Sequence, residues 1–223
     1  MPLRLGLLGC GRIASSVHLP ILAGMREVAV TALAEPNETS RRNAARVVPR
    51  AACFSDFVEL LTTQELDAVV ITLPNTLHAP AAMAAFQRGL HVYLEKPLAS
   101  SLTEGREVLA AWRRSGRVGM IGYNYRFLPP FQRARDLIRS DRIGPIVALR
   151  SVFSSTRRAL PVWKQRRETG GGALLDLASH HLDLAAWLVG QPPCSLSCDL
   201  LSRQTDDDVA LLQIEFPGCW RSP

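Results

Sequence analysis

Four places in the chain hold residue types that could do chemistry. Gly9-Cys10-Gly11-Arg12-Ile13-Ala14 fits G-x-G-x-x-A. Where such a run joins a strand to a helix, the first glycine permits a tight turn and the second lets backbone approach a pyrophosphate. The small third residue packs helix on strand, and the helix N-terminus faces the phosphates. Gly9, Gly11, Arg12 and Ile13 are therefore candidate cofactor-binding positions. Glycine turns after strands are common, and Glu35 adds specificity. It falls about twenty residues past the turn, where a carboxylate can accept hydrogen bonds from an adenosine ribose. Its other reading is a surface residue capping the next helix. A carboxylate there repels a 2′-phosphate, which predicts NAD over NADP, while Arg41 and Arg42 keep NADP as an alternative.

Two further stretches follow strand-like segments: Leu73-Pro74-Asn75-Thr76-Leu77-His78 and Glu95-Lys96-Pro97. The prolines could simply end strands, and Asn75 could cap a helix. Lys96 stands out because only it and Lys164 are lysines among 26 basic residues. Lysine can exchange a proton in a site where arginine stays protonated. The last constellation runs from Gly170-Gly171-Gly172 through Asp176, His180, His181 and Asp183. Asp176 and His180 are spaced i and i+4, which places them on one helix face. His181 points about 100° away and reads as packing or surface.

These residues need elements to position them. Apolar runs at Leu3–Leu8, Glu27–Ala34, Ala68–Leu73, His91–Leu94 and Val118–Ile121 read as strands. Helical segments over Arg12–Gly24, Thr39–Val47, Asp56–Leu61, Thr76–Arg88 and Leu102–Ser115 separate them. The alternation predicts an α/β fold with a doubly wound parallel sheet. Ligand then binds at the carboxyl ends of the strands. The alternation stops near Gly122, so residues 1–122 are read as a nucleotide-binding domain and 123–223 as a second domain. Asn124–Pro130 reads as a hinge, because Pro129-Pro130 cannot continue either element type. Beyond it come an expected helix at Phe131–Ser140, a strand at Ile146–Ser154 and an Arg-rich loop at Ser155–Gly170. A helix over Gly171–Leu188 and strands at Ser195–Leu201 and Val209–Phe216 follow.

Composition excludes several classes. With 47% hydrophobic and 21% charged residues, the 223-residue chain can bury a core. No apolar run approaches the roughly 18–20 residues of a membrane-spanning helix. The net charge of +6 would suit nucleic acid, but the arginines are scattered among acids and only 6% of residues are aromatic. No nucleic-acid partner is expected. Five scattered cysteines do not form a disulfide framework or a zinc-ligand spacing, so no metal and a reducing cytoplasmic setting are expected.

The glycine fingerprint, Pro74-Asn75 with His78, Glu95-Lys96-Pro97, and the Gly-Gly-Gly helix with Asp176, His180 and Asp183 together resemble the Gfo/Idh/MocA family of NAD(P)-dependent oxidoreductases. The resemblance runs from residue 3 to about 216. It implies a Rossmann domain followed by a partial α/β domain whose open, largely antiparallel sheet often mediates homo-oligomer contacts. It further implies hydride transfer to or from a sugar, inositol or related polyol. Carried over by position, Lys96, Asp176 and His180 are the catalytic residues. His180 accepts the hydroxyl proton, Lys96 assists or shares that role, and Asp176 orients the site. Pro74, Asn75, His78, Glu95 and Lys96 join the cofactor-binding set; Asn124 and Trp163 join Lys96, Asp176 and His180 in the substrate-binding set. Family members are longer, and the match dissolves at Pro217, so a C-terminally truncated chain is expected. The rival expectation is a non-catalytic nucleotide-binding remnant.

Overall fold

The computed structural model describes residues 1–154 and 160–218. Part of the Arg-rich loop, including Arg157-Arg158, and the closing run Cys219–Pro223 lie outside the described residues. The chain divides into two compact units, Met1–Gly122 and Tyr123–Pro223.

In the first unit β1 (Leu3–Leu8) leads into a helix whose π-helical turn (Ala14–His18) continues as α1 (Leu19–Gly24). Then come β2 (Val28–Ala34), α2 (Glu38–Val47), β3 (Ala52–Phe54) and α3 (Phe57–Thr63). The unit closes with β4 (Ala68–Ile71), α4 (His78–Gln87), β5 (His91–Leu94), α5 (Leu102–Ser115) and β6 (Gly119–Ile121). The strands form one sheet in the order β3-β2-β1-β4-β5-β6, and every pair is parallel. The strand order reverses between β1 and β4, and an α/β sheet opens its ligand crevice at such a point.

The sequence explains this local order. Leu7 and Leu8 on β1, and Val69 and Ile71 on β4, are fully buried, as strands covered by helices on both faces must be. Ala79, Ala81, Ala82 and Ala85 let α4 lie close against the sheet, with Phe86 filling the end of the contact. Side chains of Asn37, Asp56 and Ser101 accept the first free N–H groups of α2, α3 and α5. Asp56 is thus the cap of α3 and not its first residue. Strand β3 leaves no mark in the sequence, because three residues carry too little alternation to show. It forms only by pairing Ala52, Cys53 and Phe54 with Ala32, Leu33 and Ala34.

The second unit holds a 3₁₀ turn (Asn124–Phe127), α6 (Pro129–Arg139) and 3₁₀ turns at Val162–Gln165 and Arg167–Thr169. A π-helical turn (Leu174–Ala178) runs into α7 (Ser179–Val189), followed by β7 (Ser195–Leu201) and β8 (Val209–Glu215). Strands β7 and β8 are antiparallel, Ser195 opposite Glu215 and Leu201 opposite Val209. Pro129 and Pro130 open α6 instead of breaking the chain, because the first helical turn needs no internal N–H donors. The expected strand at residues 146–154 is not one: no ladder forms there among the described residues, and Val147 and Val152 stand exposed. β-propensity makes a strand only where another strand supplies hydrogen bonds. Among the described residues no helix is long and apolar enough to cross a membrane.

Candidate functional site

Gly9 follows β1 at the switch point. Its φ is +93°, and its N–H donates to the Ala34 carbonyl at 2.8 Å. A Cβ there would stand 2.8 Å from the Thr72 carbonyl oxygen, so only glycine lets the β1 turn pass the end of β4. Around Gly11 the situation is the opposite: a Cβ would meet nothing within 4 Å, which leaves open space beside the loop. Arg12 and Ile13 begin the helix on its exposed side.

Glu35 stands just past β2. One carboxylate oxygen accepts the Cys10 N–H at 2.8 Å and the other the Asn37 N–H at 3.0 Å. The carboxylate therefore joins the glycine loop to the β2 end, and its remaining lone pairs can still accept ribose hydroxyls. The α2 cap is Asn37, whose side chain accepts the Ser40 N–H at 2.9 Å. The Arg41 guanidinium donates to the Glu35 carbonyl at 2.5 Å. Burial, with the Glu35 charge adding, pushes the Cys10 thiol up to about 12, so it is no thiolate nucleophile. A positive-φ turn, open space at Gly11 and an anchored acceptor at Glu35 fit a dinucleotide.

Across the switch point, Asn75 and His78 are buried. The His78 ring stands between the Pro97 carbonyl (Nδ1, 2.6 Å) and the Leu73 carbonyl (Nε2, 2.9 Å). It fastens the Pro74 loop to the Glu95-Lys96-Pro97 turn. Burial lowers its pKa, and the two carbonyl contacts only partly oppose that. The unfolded chain therefore binds this proton more tightly than the fold does. Stability should be full above the unfolded value, about pH 6.5, and fall as pH drops through it toward the folded value. Melting temperatures at pH 7.5 and 5.5 should show that decline, reduced in His78→Gln. An equal decline in both proteins would assign the acid loss to other groups.

Glu95 ends the β5 ladder by donating its N–H to the Ile71 carbonyl at 2.9 Å. Its carboxylate meets His18 Nε2 at 2.7 Å. Burial would raise this carboxyl, but the His18 hydrogen bond and charge, helped by Lys96, outweigh burial and hold it below the usual range. Lys96 follows, half-buried, and the Lys96-Pro97 peptide is cis.

In the second unit Asp176 lies in the π-helical turn, and Lys164 Nζ donates to its carboxylate at 2.7 Å. Both side chains are about one-fifth exposed (22% and 21%). Lys164 reaches Asp176 because Gly171 has no side chain: a Cβ there would fall 2.3 Å from the Lys164 carbonyl oxygen. Trp163 sits beside the pair, its ring centroid 5.2 Å from Lys164 Nζ. His180 lies on the next turn, and Tyr125 stacks on it with centroids 4.6 Å apart and planes at 17°. Tyr123 meets the same ring edge-on at 6.1 Å. Asn124 stands between these tyrosines in the chain. Arg126 holds Asp183 on α7 through a two-pronged ion pair. His181, facing away, contacts Ser151 Oγ.

The structure thus gathers one set within each unit. One joins Gly9, Gly11 and Glu35, with Asn75, His78, Glu95 and Lys96 across the switch point. The other joins Trp163 and Asp176 through Lys164, with His180 one helical turn further on against Tyr125. Sequence reasoning missed His18, Tyr125, Arg126 and Lys164. For Lys164 a signal existed: it is the second of the chain's two lysines, and the rarity argument made for Lys96 applied to it equally.

Residues 3–137 match the family model of an oxidoreductase family with an NAD-binding Rossmann fold, GFO_IDH_MocA. Residues 131–220 match the GFO/IDH/MocA C-terminal domain. The dTDP-3,4-didehydro-2,6-dideoxy-alpha-D-glucose 3-reductase of Streptomyces violaceoruber is 35% identical over 190 residues, 84% of this chain and 55% of that protein. The rhizopine catabolism protein MocA of Rhizobium meliloti is 34% identical over 191 residues, 85% of this chain and 58% of that protein. The WlbA dehydrogenase from Bordetella pertussis, crystallised with NADH and UDP-GlcNAcA, gives a TM-score of 0.84 at 27% identity. That match covers 96% of this chain and 63% of the dehydrogenase. The chain spans a little over half the length of the curated relatives it matches.

Proposed function

The chain belongs to the Gfo/Idh/MocA oxidoreductase family, and from that premise we propose that it transfers a hydride between NAD and a CH–OH or carbonyl group of a sugar, inositol or related polyol. The observation that carries this reading is the Glu35 carboxylate, anchored to the glycine loop by the Cys10 N–H beside the open space at Gly11. When bound, the nicotinamide supplies the acceptor or donor of the hydride. Gly9, Gly11, Arg12 and Ile13 receive the pyrophosphate and Glu35 the adenosine ribose. Pro74, Asn75, Glu95 and Lys96 border the nicotinamide half, and His78 holds two of their loops from within.

The proposed chemistry belongs to His180, Lys96 and Asp176. In oxidation His180 takes the hydroxyl proton as hydride leaves the same carbon, and in reduction it returns it; Lys96 assists or shares that transfer. Asp176, held by Lys164, orients the substrate hydroxyl, and Asn124 and Trp163 contact the substrate. Residues 1–122 serve as the nucleotide-binding domain and 123–223 as the substrate and assembly domain. The setting proposed is the cytoplasm, with self-association through the β7–β8 sheet, where Leu196, Leu201 and Leu211 are exposed.

The cofactor is the first test. Calorimetric titration should give a tighter Kd for NADH than for NADPH, by about 1 kcal/mol or more, because a charge-assisted acceptor serves the ribose and repels a phosphate. An NADPH Kd equal to or below that for NADH would sink the role given to Glu35. A panel of sugars and polyols with NAD then separates turnover from binding alone, the mark of a non-catalytic remnant.

A further inference from the structure

The helix after the glycine loop is not a plain α-helix. Leu19 N–H donates to the Ala14 carbonyl five residues back, and this π-helical turn ends at His18. One extra residue in a turn rotates everything after it by about 100° relative to an uninterrupted α-helix. π-helical turns often mark functional positions. Here the turn delivers the His18 ring to the far side of the switch point. Nε2 meets Glu95 Oε1 at 2.7 Å, with side-chain exposures of only 15% and 16%. The Tyr93 ring packs against His18, centroids 5.4 Å apart and planes at 64°. Gly122 completes the enclosure, since a Cβ there would stand 2.7 Å from the Tyr93 hydroxyl and 3.2 Å from Glu95 Oε1. Neither the His18 nor the Glu95 side chain takes part in the sheet ladder, whose bonds are made by backbone, that of Glu95 included.

The Glu95-Lys96-Pro97 turn is thereby held at both ends: Glu95 by His18 and the Pro97 carbonyl by His78. The two holds differ. His78 fixes the turn to the neighbouring strand end, whereas His18 fixes it to the helix that carries the phosphate-binding N-terminus. A dinucleotide spans the two halves of such a sheet. With Glu35 on the β2 side, the half opposite is the one Glu95 and Lys96 border. We propose that His18 is a positioning residue for the nicotinamide half of the cofactor site, its hydrogen bond to Glu95 setting where the Lys96 turn stands relative to the glycine-loop helix.

The inference rests on the reading that this chain binds NAD(H), and the test keeps the two apart. The full chain and its His18→Leu and His18→Gln variants are titrated calorimetrically with NADH and with ADP-ribose, which lacks the nicotinamide. Leucine fills similar space without a donor, while a glutamine amide can place a donor near the position of Nε2. In His18→Leu, NADH should bind about tenfold more weakly, the scale of one charge-assisted hydrogen bond. ADP-ribose should stay within about twofold of wild type. His18→Gln should recover most of the NADH affinity. Where His18→Leu does not melt cooperatively, His18→Asn, whose shorter amide cannot reach Glu95, carries the same expectation. Unchanged NADH binding in the Leu or Asn variant overturns the proposal. So does an equal loss of NADH and ADP-ribose, or a Gln variant as weak as Leu. A wild-type chain that binds neither ligand overturns the NAD reading itself, and the role of His18 with it.

Discussion

Lys96→Met and His180→Asn should each lower kcat by about 10²–10⁴-fold, the range expected when a group that carries the proton in the transition state is removed. The two variants should differ in binding. His180 lies on the Gly-Gly-Gly helix of the second unit, stacked on Tyr125, so His180→Asn should leave NADH affinity close to wild type. Lys96 adjoins Glu95 at the end of β5, so Lys96→Met can alter both kcat and cofactor affinity. Lys96→Arg is the sharper variant, because it keeps a cation and removes a group able to exchange its proton. Steady-state kinetics with the best substrate from the panel would decide. A normal kcat in Lys96→Arg would leave Lys96 an electrostatic role and give the proton to His180. Normal kcat in both Lys96→Met and His180→Asn would end the catalytic assignment and leave only the fold in common with the family.

Gly9→Ala and Gly11→Ala should separate stability from binding within one loop. At Gly9 an added methyl meets the Thr72 carbonyl at 2.8 Å on a backbone held at φ +93°. Left-handed strain and a backbone clash together should cost about 3 kcal/mol, a large share of the margin of an ordinary domain. At Gly11 the same methyl touches nothing. Gly11→Ala should therefore match wild-type stability or exceed it slightly through a less flexible unfolded chain. Its NADH affinity should still fall, because in the proposed binding mode the methyl enters the space that the pyrophosphate takes. Urea unfolding and NADH titration on the same samples would show both effects. A Gly11→Ala protein that binds NADH normally would place the phosphates elsewhere.

Much of this molecule was legible without coordinates. Runs such as Ala68-Val69-Val70-Ile71, set between amphipathic stretches, define parallel strands, because burial on both faces leaves no room for polar alternation. The glycine loop and Glu35 were readable from spacing, since a turn and a following strand of ordinary length bring them together. The two strands β7 and β8 were equally plain, each being seven residues long, whereas their antiparallel pairing was implied only by the family resemblance.

Other features depended on the assembled fold. Strand β3 exists only because β2 offers it a ladder, and residues 146–154, no less rich in β-formers, stay irregular among the described residues because no strand is paired with them. The π-helical turns that aim His18 and hold Asp176 leave no mark in a 3.6-residue pattern, since a single inserted residue looks like ordinary scatter. The pairs that orient the candidate groups are decided later still. His18 is 77 residues from Glu95, and Lys164 is 12 from Asp176 across a glycine turn. Sequence alone determined which residue types were present and which elements carried them. Which carboxylate each cation and imidazole meets was decided by tertiary structure, because a hydrogen bond of 2.7 Å requires two side chains to be placed to within a fraction of an ångström, and only the packed sheet and helices impose that placement.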